Sequence, residues 1–191
     1  MKTAIARSIA AGMIVGALLL AGLPAEAARR VALVIGNDTY ATLPTLNNAA
    51  TDARGIARKL KGLGFEVILK IDASRRHIGR AVVEFENKLG KAEVGLVFYA
   101  GHGIQAGGEN YIIPSNAEIE VEDDLSFEGI KASTFLHAMK RAGSRLNIVI
   151  MDACRDNPLP KRSRSATRGL TITAVPAGIM GTAFSPASFW R

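Results

Sequence analysis

The sequence is short of cysteine, histidine and aromatic residues, and each shortage excludes a class of protein. One cysteine in 191 residues excludes an internal disulfide framework. The three histidines, His77, His102 and His137, are dispersed without the short spacing of zinc ligands, so we predict no metal site and no cofactor. The formal charge of +7 comes without a basic face that carries interleaved aromatic residues, so we expect no nucleic-acid partner.

A phosphate-binding loop is also missing. The first apolar run ends in Asn37, Asp38, Thr39 and Tyr40, whereas a nucleotide site needs a glycine-rich turn at that point. A nucleotide- or ester-processing α/β domain is therefore the weakest of the functions that the sequence allows.

Long hydrophobic runs are confined to the N-terminus. Lys2 and Arg7 precede an apolar stretch, 9–23, and Ala25 and Ala27 form a small-x-small cleavage site. This is the pattern of a secretory signal peptide, residues 1–27, with a membrane anchor as the alternative. We therefore expect an exported protein, periplasmic or secreted, with no stable membrane association after cleavage.

What the rest of the chain has is an alternation of strands and helices. Apolar residues, 48% of the total, are sufficient for the core of one domain. Continuous apolar runs predict strands at 31–36, 64–71, 94–100 and 146–151, and helical spacing predicts helices that begin near residues 48, 74 and 133. A small hairpin is expected between residues 101 and 130. The alternation predicts an α/β fold, a mostly parallel sheet with helices on both faces.

A histidine and the lone cysteine each follow the end of an apolar strand. A flavodoxin-like strand order, 2-1-3-4, would make these strands neighbours and bring His102 and Cys154 to one edge of the sheet. A thiolate with an imidazole base is a nucleophilic pair. The backbone N–H groups of Gly103 and Cys154 are candidates for the oxyanion hole. The alternative for Cys154 is a buried, inert thiol.

Four separated segments resemble one family. They are 31–37 (VALVIGN), 46–53 (the pattern Leu46-x-x-Ala49-x-x-Asp52-Ala53), 99–103 (YAGHG) and 152–155 (DACR). A histidine about 50 residues before an Ala-Cys pair is typical of caspases. The Asp-x-Cys form is similar to the metacaspase and bacterial caspase-homologue branch, and the resemblance covers residues 30–158.

The resemblance implies a three-layer caspase-like fold and a cysteine endopeptidase with a His102–Cys154 dyad. Metacaspases cut after arginine or lysine with two acidic residues, which match Asp52 and Asp152 here. Leu46 stands where caspases carry an arginine, so we expect cleavage after arginine or lysine. Alternatively, Asp52 only stabilises a helix N-terminus. The competing function is an inactive caspase-fold homologue that serves as an interaction or regulatory module.

We expect three regions: the signal peptide, a catalytic domain at 29–158, and a basic linker with an irregular, truncated segment at 159–191. The expected partner is a protein or peptide substrate, and the oligomeric state stays open, with a monomer as one alternative. The basic run 161–168 reads as a solvated tail or as an autoprocessing site. The acidic run 118–124 reads as a mobile charged loop or as a cation site.

Overall fold

The computed structural model describes residues 29–90 and 92–153. Its strands are β1 (Arg30–Gly36), β2 (Glu66–Ile71), β3 (Val94–Gly101), β4 (Gly103–Ala106), β5 (Glu109–Ile112), β6 (Ile130–Lys131) and β7 (Leu146–Ala153). Its helices are α1 (Ala49–Gly62), α2 (Arg75–Leu89), α3 (Leu125–Glu128) and α4 (Ser133–Ala142), and a 3₁₀ turn spans Glu122–Asp124.

The central sheet has the order β2-β1-β3-β7, and every pair in it is parallel. This confirms the predicted order and makes the third and fourth long strands neighbours. The hairpin expected after β3 is also present, as β4 and β5, and β6 extends it to a small antiparallel sheet.

Alternate residues of the central strands supply two hydrophobic cores, one on each face of the sheet. On β1, Val31, Leu33 and Ile35 pack with residues of α2 and α4. Ala32 and Val34 point to the opposite face, where α1 packs. Burial on both faces explains why this strand is a continuous apolar run in the sequence. The protein therefore has the three-layer α/β architecture that we expected.

Helix α1 lies unusually close to the C-terminal end of β1. A Cβ atom on Gly36 would come within 2.5 Å of the Ala49 carbonyl oxygen and of the Ala53 Cβ. Glycine is required here because no side chain fits between the two elements. The close approach places Asp52, in the first turn of α1, beside the C-terminal edge of the sheet.

Some local expectations were wrong. Strand β7 does not end at Met151 but continues to Ala153, because Asp152 and Ala153 remain in register with Ala100 and Gly101. Ser133 does not cap α4: it is the first residue of the helix, and its hydroxyl donates to the Glu109 carboxylate at 3.1 Å.

Two predicted regions lie outside the described residues, namely the signal peptide and everything from Cys154 onward. Their boundaries stay predictions. Within 29–90 and 92–153, no helix has the length and apolar character needed to cross a bilayer.

Candidate active site

His102 is the single residue between β3 and β4, and only 5% of its surface is exposed. The imidazole Nε2 lies 2.7 Å from the carbonyl oxygen of Pro44. Because a carbonyl only accepts, a neutral ring must carry its proton on Nε2. Nδ1 is buried and has no hydrogen-bond partner among the described residues. The loop after β1 thus leaves Nδ1 with an unused lone pair, as a general base requires.

The environment favours the neutral form of this ring. Burial lowers the pKa of His102 below its usual value, and the hydrogen bond to the Pro44 carbonyl opposes this only in part. Desolvation disfavours the imidazolium because a buried charge loses its hydration. His102 is therefore unprotonated at neutral pH, the state in which it accepts a proton.

Gly101 is required by the packing around the histidine. Its φ is +154°, and a Cβ on it would collide with the hydroxyl groups of Tyr99 and Tyr40. The Tyr99 hydroxyl donates to the His102 carbonyl at 2.7 Å. The glycine before the histidine thus leaves room for two phenols that hold the histidine's own peptide groups.

Gly103, the predicted oxyanion donor, is the first residue of β4 and pairs with Ile112. One residue earlier, the Ile113 N–H donates to the His102 carbonyl at 3.1 Å. Hydrogen-bonded and non-bonded pairs alternate along an antiparallel ladder. The Gly103 N–H therefore points away from β5 and is not used by that strand.

The parallel register brings the histidine and the end of β7 to one edge of the sheet. Gly101 pairs with Ala153, so the residues immediately before His102 and Cys154 sit on neighbouring strands, about 4.8 Å apart in a typical sheet. Cys154 itself lies outside the described residues. Its pairing with His102 stays a prediction.

Asp52 and Asp152 line one cavity of about 550 Å³ between α1 and the sheet, with Phe98 as an apolar wall. They come from distant segments, the first turn of α1 and the end of β7. Arg58 and Lys59 of α1 also line the cavity. The two carboxylates and the aromatic surface are the groups in it that suit a long cationic side chain.

Both carboxyl groups of the cavity have raised pKa values, so their ionised forms are disfavoured. Burial raises the pKa of the Asp152 carboxyl, and the charge of Asp52 raises it further. Burial also raises the pKa of Asp52, with a further contribution from Asp38. A bound cation would relieve both effects, because it favours the ionised forms.

The other candidates are not part of this arrangement. His77 and His137 are exposed on α2 and α4. Among the described residues, no group of three or more His, Cys, Asp or Glu side chains is placed to hold a metal ion.

Sequence reasoning missed the residues that hold the imidazole. Tyr40 and Pro44 appeared only as part of a polar loop after β1, and Tyr99 only as part of a motif. A usable signal was present, because the order 2-1-3 makes the loop after β1 a neighbour of the residue that follows β3.

Comparisons with known proteins support the fold and the family of this chain. The chain is 32% identical over 128 residues to the mucosa-associated lymphoid tissue lymphoma translocation protein 1 of Homo sapiens and to its Mus musculus homologue. These alignments cover 66% of this chain but 15% of each relative. The crystal structure of protein GSU0716 from Geobacter sulfurreducens is similar in fold, with a TM-score of 0.51 and 18% identity over 66% of this chain and 50% of that chain.

The profile of the caspase domain matches residues 29–185, which include the described sheet, the histidine segment and the cysteine segment. The predicted caspase-like resemblance is confirmed, and the metacaspase branch stays an expectation. The chain belongs to the caspase-domain family of cysteine peptidases.

Proposed function

We propose that this protein is a cysteine endopeptidase that uses a His102–Cys154 dyad and cleaves after arginine or lysine. The observation that carries the proposal is the state of His102: a buried, neutral imidazole with Nε2 bound to the Pro44 carbonyl and Nδ1 without a partner in the part of the chain that the structure describes. Such a ring is poised to take a proton from a thiol on the neighbouring strand. Family membership supports the same chemistry.

The proposed reaction has two steps. Nδ1 of His102 takes the thiol proton, and Sγ of Cys154 attacks the scissile carbonyl carbon, whose oxygen is stabilised by the N–H groups of Gly103 and Cys154. The C–N bond then breaks, and the imidazolium gives its proton to the leaving amine. Water, deprotonated by the same imidazole, hydrolyses the thioester and releases the second product and the free thiol.

The acidic cavity supports the proposed specificity. An arginine or lysine side chain would lie along Phe98 and present its charge to Asp52 and Asp152. An aspartate side chain would meet two carboxylates whose pKa values are already raised, and like-charge contacts in a partly buried site are strongly unfavourable. The cavity therefore favours basic over acidic residues at the cleavage position.

The test is hydrolysis of matched fluorogenic peptides that end in arginine, lysine or aspartate. We expect hydrolysis of the basic peptides, and loss of at least about 10³-fold in Cys154→Ala and His102→Ala, because the dyad acts as a unit. Asp123→Asn, an exposed carboxylate outside the cavity, is the matched control for Asp52→Asn and Asp152→Asn. Preference for the aspartate peptide would reject the specificity, and no labelling of Cys154 by an irreversible peptidyl-arginine inhibitor would favour the inactive homologue.

Two further expectations belong to the same proposal. An enzyme specific for basic residues would cut its own basic run at 161–168, so purified wild type would differ in mass from Cys154→Ala. Export would place the protein in the periplasm or medium, with an N-terminus at Ala28 by Edman sequencing. A wild type that differs from Cys154→Ala only by the mass of the substituted side chain would remove autoprocessing, and an intact Met1 on the isolated protein would remove signal cleavage.

A further inference from the structure

We propose that Tyr40 is a positioning residue for the base: it sets the orientation of the His102 imidazole and keeps it desolvated. This inference rests on the proposed peptidase function. The two rings are in direct contact, with centroids 4.6 Å apart and planes tilted by 54°. One face of the imidazole is therefore covered by an aromatic ring, which excludes water from that side.

The phenol also holds the backbone of the histidine. The His102 N–H donates to the Tyr40 hydroxyl oxygen at 2.8 Å, and the hydroxyl donates to the Asn37 carbonyl at 3.0 Å. On the other side of His102, its carbonyl accepts from the Tyr99 hydroxyl at 2.7 Å. Two phenols thus fix both peptide groups of one residue.

The bond to Tyr40 replaces one that a regular hairpin would make. The Ile113 N–H donates to the His102 carbonyl, and in a regular ladder the His102 N–H would donate back to Ile113. Here the Ile113 carbonyl instead accepts from Asn37 Nδ2 at 3.1 Å. Without the Tyr40 hydroxyl, the His102 N–H would be a buried donor with no acceptor in its present position.

Tyr40 can position the histidine because hydrogen bonds hold its own loop in place. Asn37 is fully buried, and its Oδ1 accepts from the Ala73 N–H at 2.9 Å. Asp72 Oδ1 accepts from the N–H groups of Asp38 and Thr39 at 2.8 and 2.9 Å. A few residues later the same loop supplies the Pro44 carbonyl that binds Nε2.

The loop therefore touches the histidine at three points: ring face, backbone N–H and Nε2. Together these contacts leave Nδ1 as the ring nitrogen that has no partner within 29–90 and 92–153. Displacement of a reacting group on the order of 1 Å lowers rates about 100-fold. The two functions of Tyr40, its ring and its hydroxyl, are separable by substitution.

The first experiment measures kcat and KM for an arginine peptide with the full-length protein. Tyr40→Phe keeps the ring and removes the hydroxyl, and we expect a fall in kcat of about 10-fold with KM within about 2-fold of the wild type. Tyr40→Leu removes both, and we expect a fall of about 100-fold. Tyr111→Phe, another buried tyrosine on β5, is the matched control and should keep the wild-type kcat.

The second experiment does not depend on peptidase activity. In Cys154→Ala protein, ¹⁵N NMR of the His102 ring reports its tautomer and its pKa, with His102→Gln used for assignment. We expect the Nε2–H tautomer, and a pKa that rises in Cys154→Ala/Tyr40→Leu because water reaches the ring. Tyr111→Phe in the same background should leave the His102 signals unchanged.

The two experiments separate the two proposals. If the wild type hydrolyses no peptide but Tyr40→Leu raises the pKa of His102, the peptidase function fails and the positioning role stands. If His102 has the same tautomer and pKa with Leu as with Tyr at position 40, the positioning role is overturned, whatever the activity. A fall in kcat that only parallels a loss of folded protein, measured by circular dichroism, also overturns it.

Discussion

The His102 ring combines burial with one hydrogen bond to a described residue, the Pro44 carbonyl, and this combination decides how the ring titrates. Burial lowers its pKa, and the Pro44 carbonyl offsets only part of that effect. A histidine whose folded-state pKa is lowered is neutral in the folded protein while the unfolded chain already binds a proton. The same feature that suits His102 to the proposed role of a base therefore makes it a source of acid sensitivity.

We predict that His102 in Cys154→Ala protein titrates below the ordinary value of 6.5. The Cys154→Ala background removes coupling to the thiol, which would otherwise give values that belong to the pair. The measurement is a ¹⁵N NMR titration of the ring. A midpoint at or above 6.5 would show that the ring is hydrated, contrary to its burial.

Asp152 illustrates a conflict between stability and binding at one residue. Its ionised carboxylate is disfavoured in the folded protein by burial and by Asp52. Active and binding sites commonly keep such destabilising groups because the ligand requires them. If the proposed basic side chain enters the cavity, its charge offsets the free energy lost on folding.

We therefore predict that Asp152→Asn lowers kcat/KM for arginine peptides by about 100-fold or more. The substitution removes one carboxylate of the proposed charge pair and leaves the guanidinium of the substrate without it. The same substitution should raise the thermal midpoint at neutral pH, since it removes a disfavoured charge. Calorimetry and peptide hydrolysis measure the two effects. The control Asp123→Asn should change neither, and a lower midpoint in Asp152→Asn would contradict the electrostatic argument.

At the scale of elements, the junction of β1 and α1 positions the acidic cavity. The helix packs so closely on Gly36 that a Cβ would meet the Ala49 carbonyl oxygen, which is backbone and has no rotamer to adjust. Any movement of α1 away from the sheet would also move Asp52, which lies one turn further along.

We predict that Gly36→Ala destabilises the protein by about 1–3 kcal/mol, the usual effect of overpacking. The matched control is Gly79→Ala in the exposed part of α2, where nothing lies within 4 Å of the added Cβ. That change should stabilise by roughly 0.5–1 kcal/mol, because alanine is the better helix former. Urea denaturation distinguishes them, and a Gly36→Ala protein as stable as the wild type would mean that α1 sits further from β1.

Elements differ in how far sequence predicts them. The strands β1 and β3 were evident because a strand buried on both faces must be a continuous apolar run. Strand β7 is only partly buried on one face, and it was evident from its apolar residues 148–151. Strand β7 ran two residues beyond the prediction because Asp152 is polar and its pairing with Ala100 depends on the neighbouring strand. Strand β6 was missed because two residues carry no period.

At the scale of the whole molecule, the ionisable groups of the site oppose each other in their effect on stability. The lowered pKa of His102 makes the folded state lose stability as pH falls below 6.5. The raised pKa values of Asp52 and Asp152 act in the other direction, because the folded protein then binds protons more readily than the unfolded chain. The net pH dependence is the difference between the two.

Unfolding free energies measured over a pH series should resolve these opposed effects. As pH falls from neutrality, we predict that the wild type loses stability relative to His102→Gln and gains stability relative to Asp152→Asn. Denaturant titrations of the three proteins at each pH provide the comparison. Parallel curves for wild type and Asp152→Asn would mean that the Asp152 pKa is the same in the folded and unfolded states.

The sequence by itself determined the α/β class and the order of the sheet, and it singled out the candidate residues for chemistry. Apolar runs, helical periods and the His102 and Cys154 motifs depend on local residue order, and local order is what a sequence displays. Through the family resemblance, it also predicted that Asp52 and Asp152 act together in substrate binding.

Only the tertiary structure decided how the histidine is held. Which nitrogen is free depends on the Pro44 carbonyl, and what orients the ring depends on Tyr40 and Tyr99. Tyr40 and Pro44 come from a loop roughly sixty positions away in the chain. Hydrogen bonds of that range arise from the docking of β1 against β3, and no local pattern of residues encodes them.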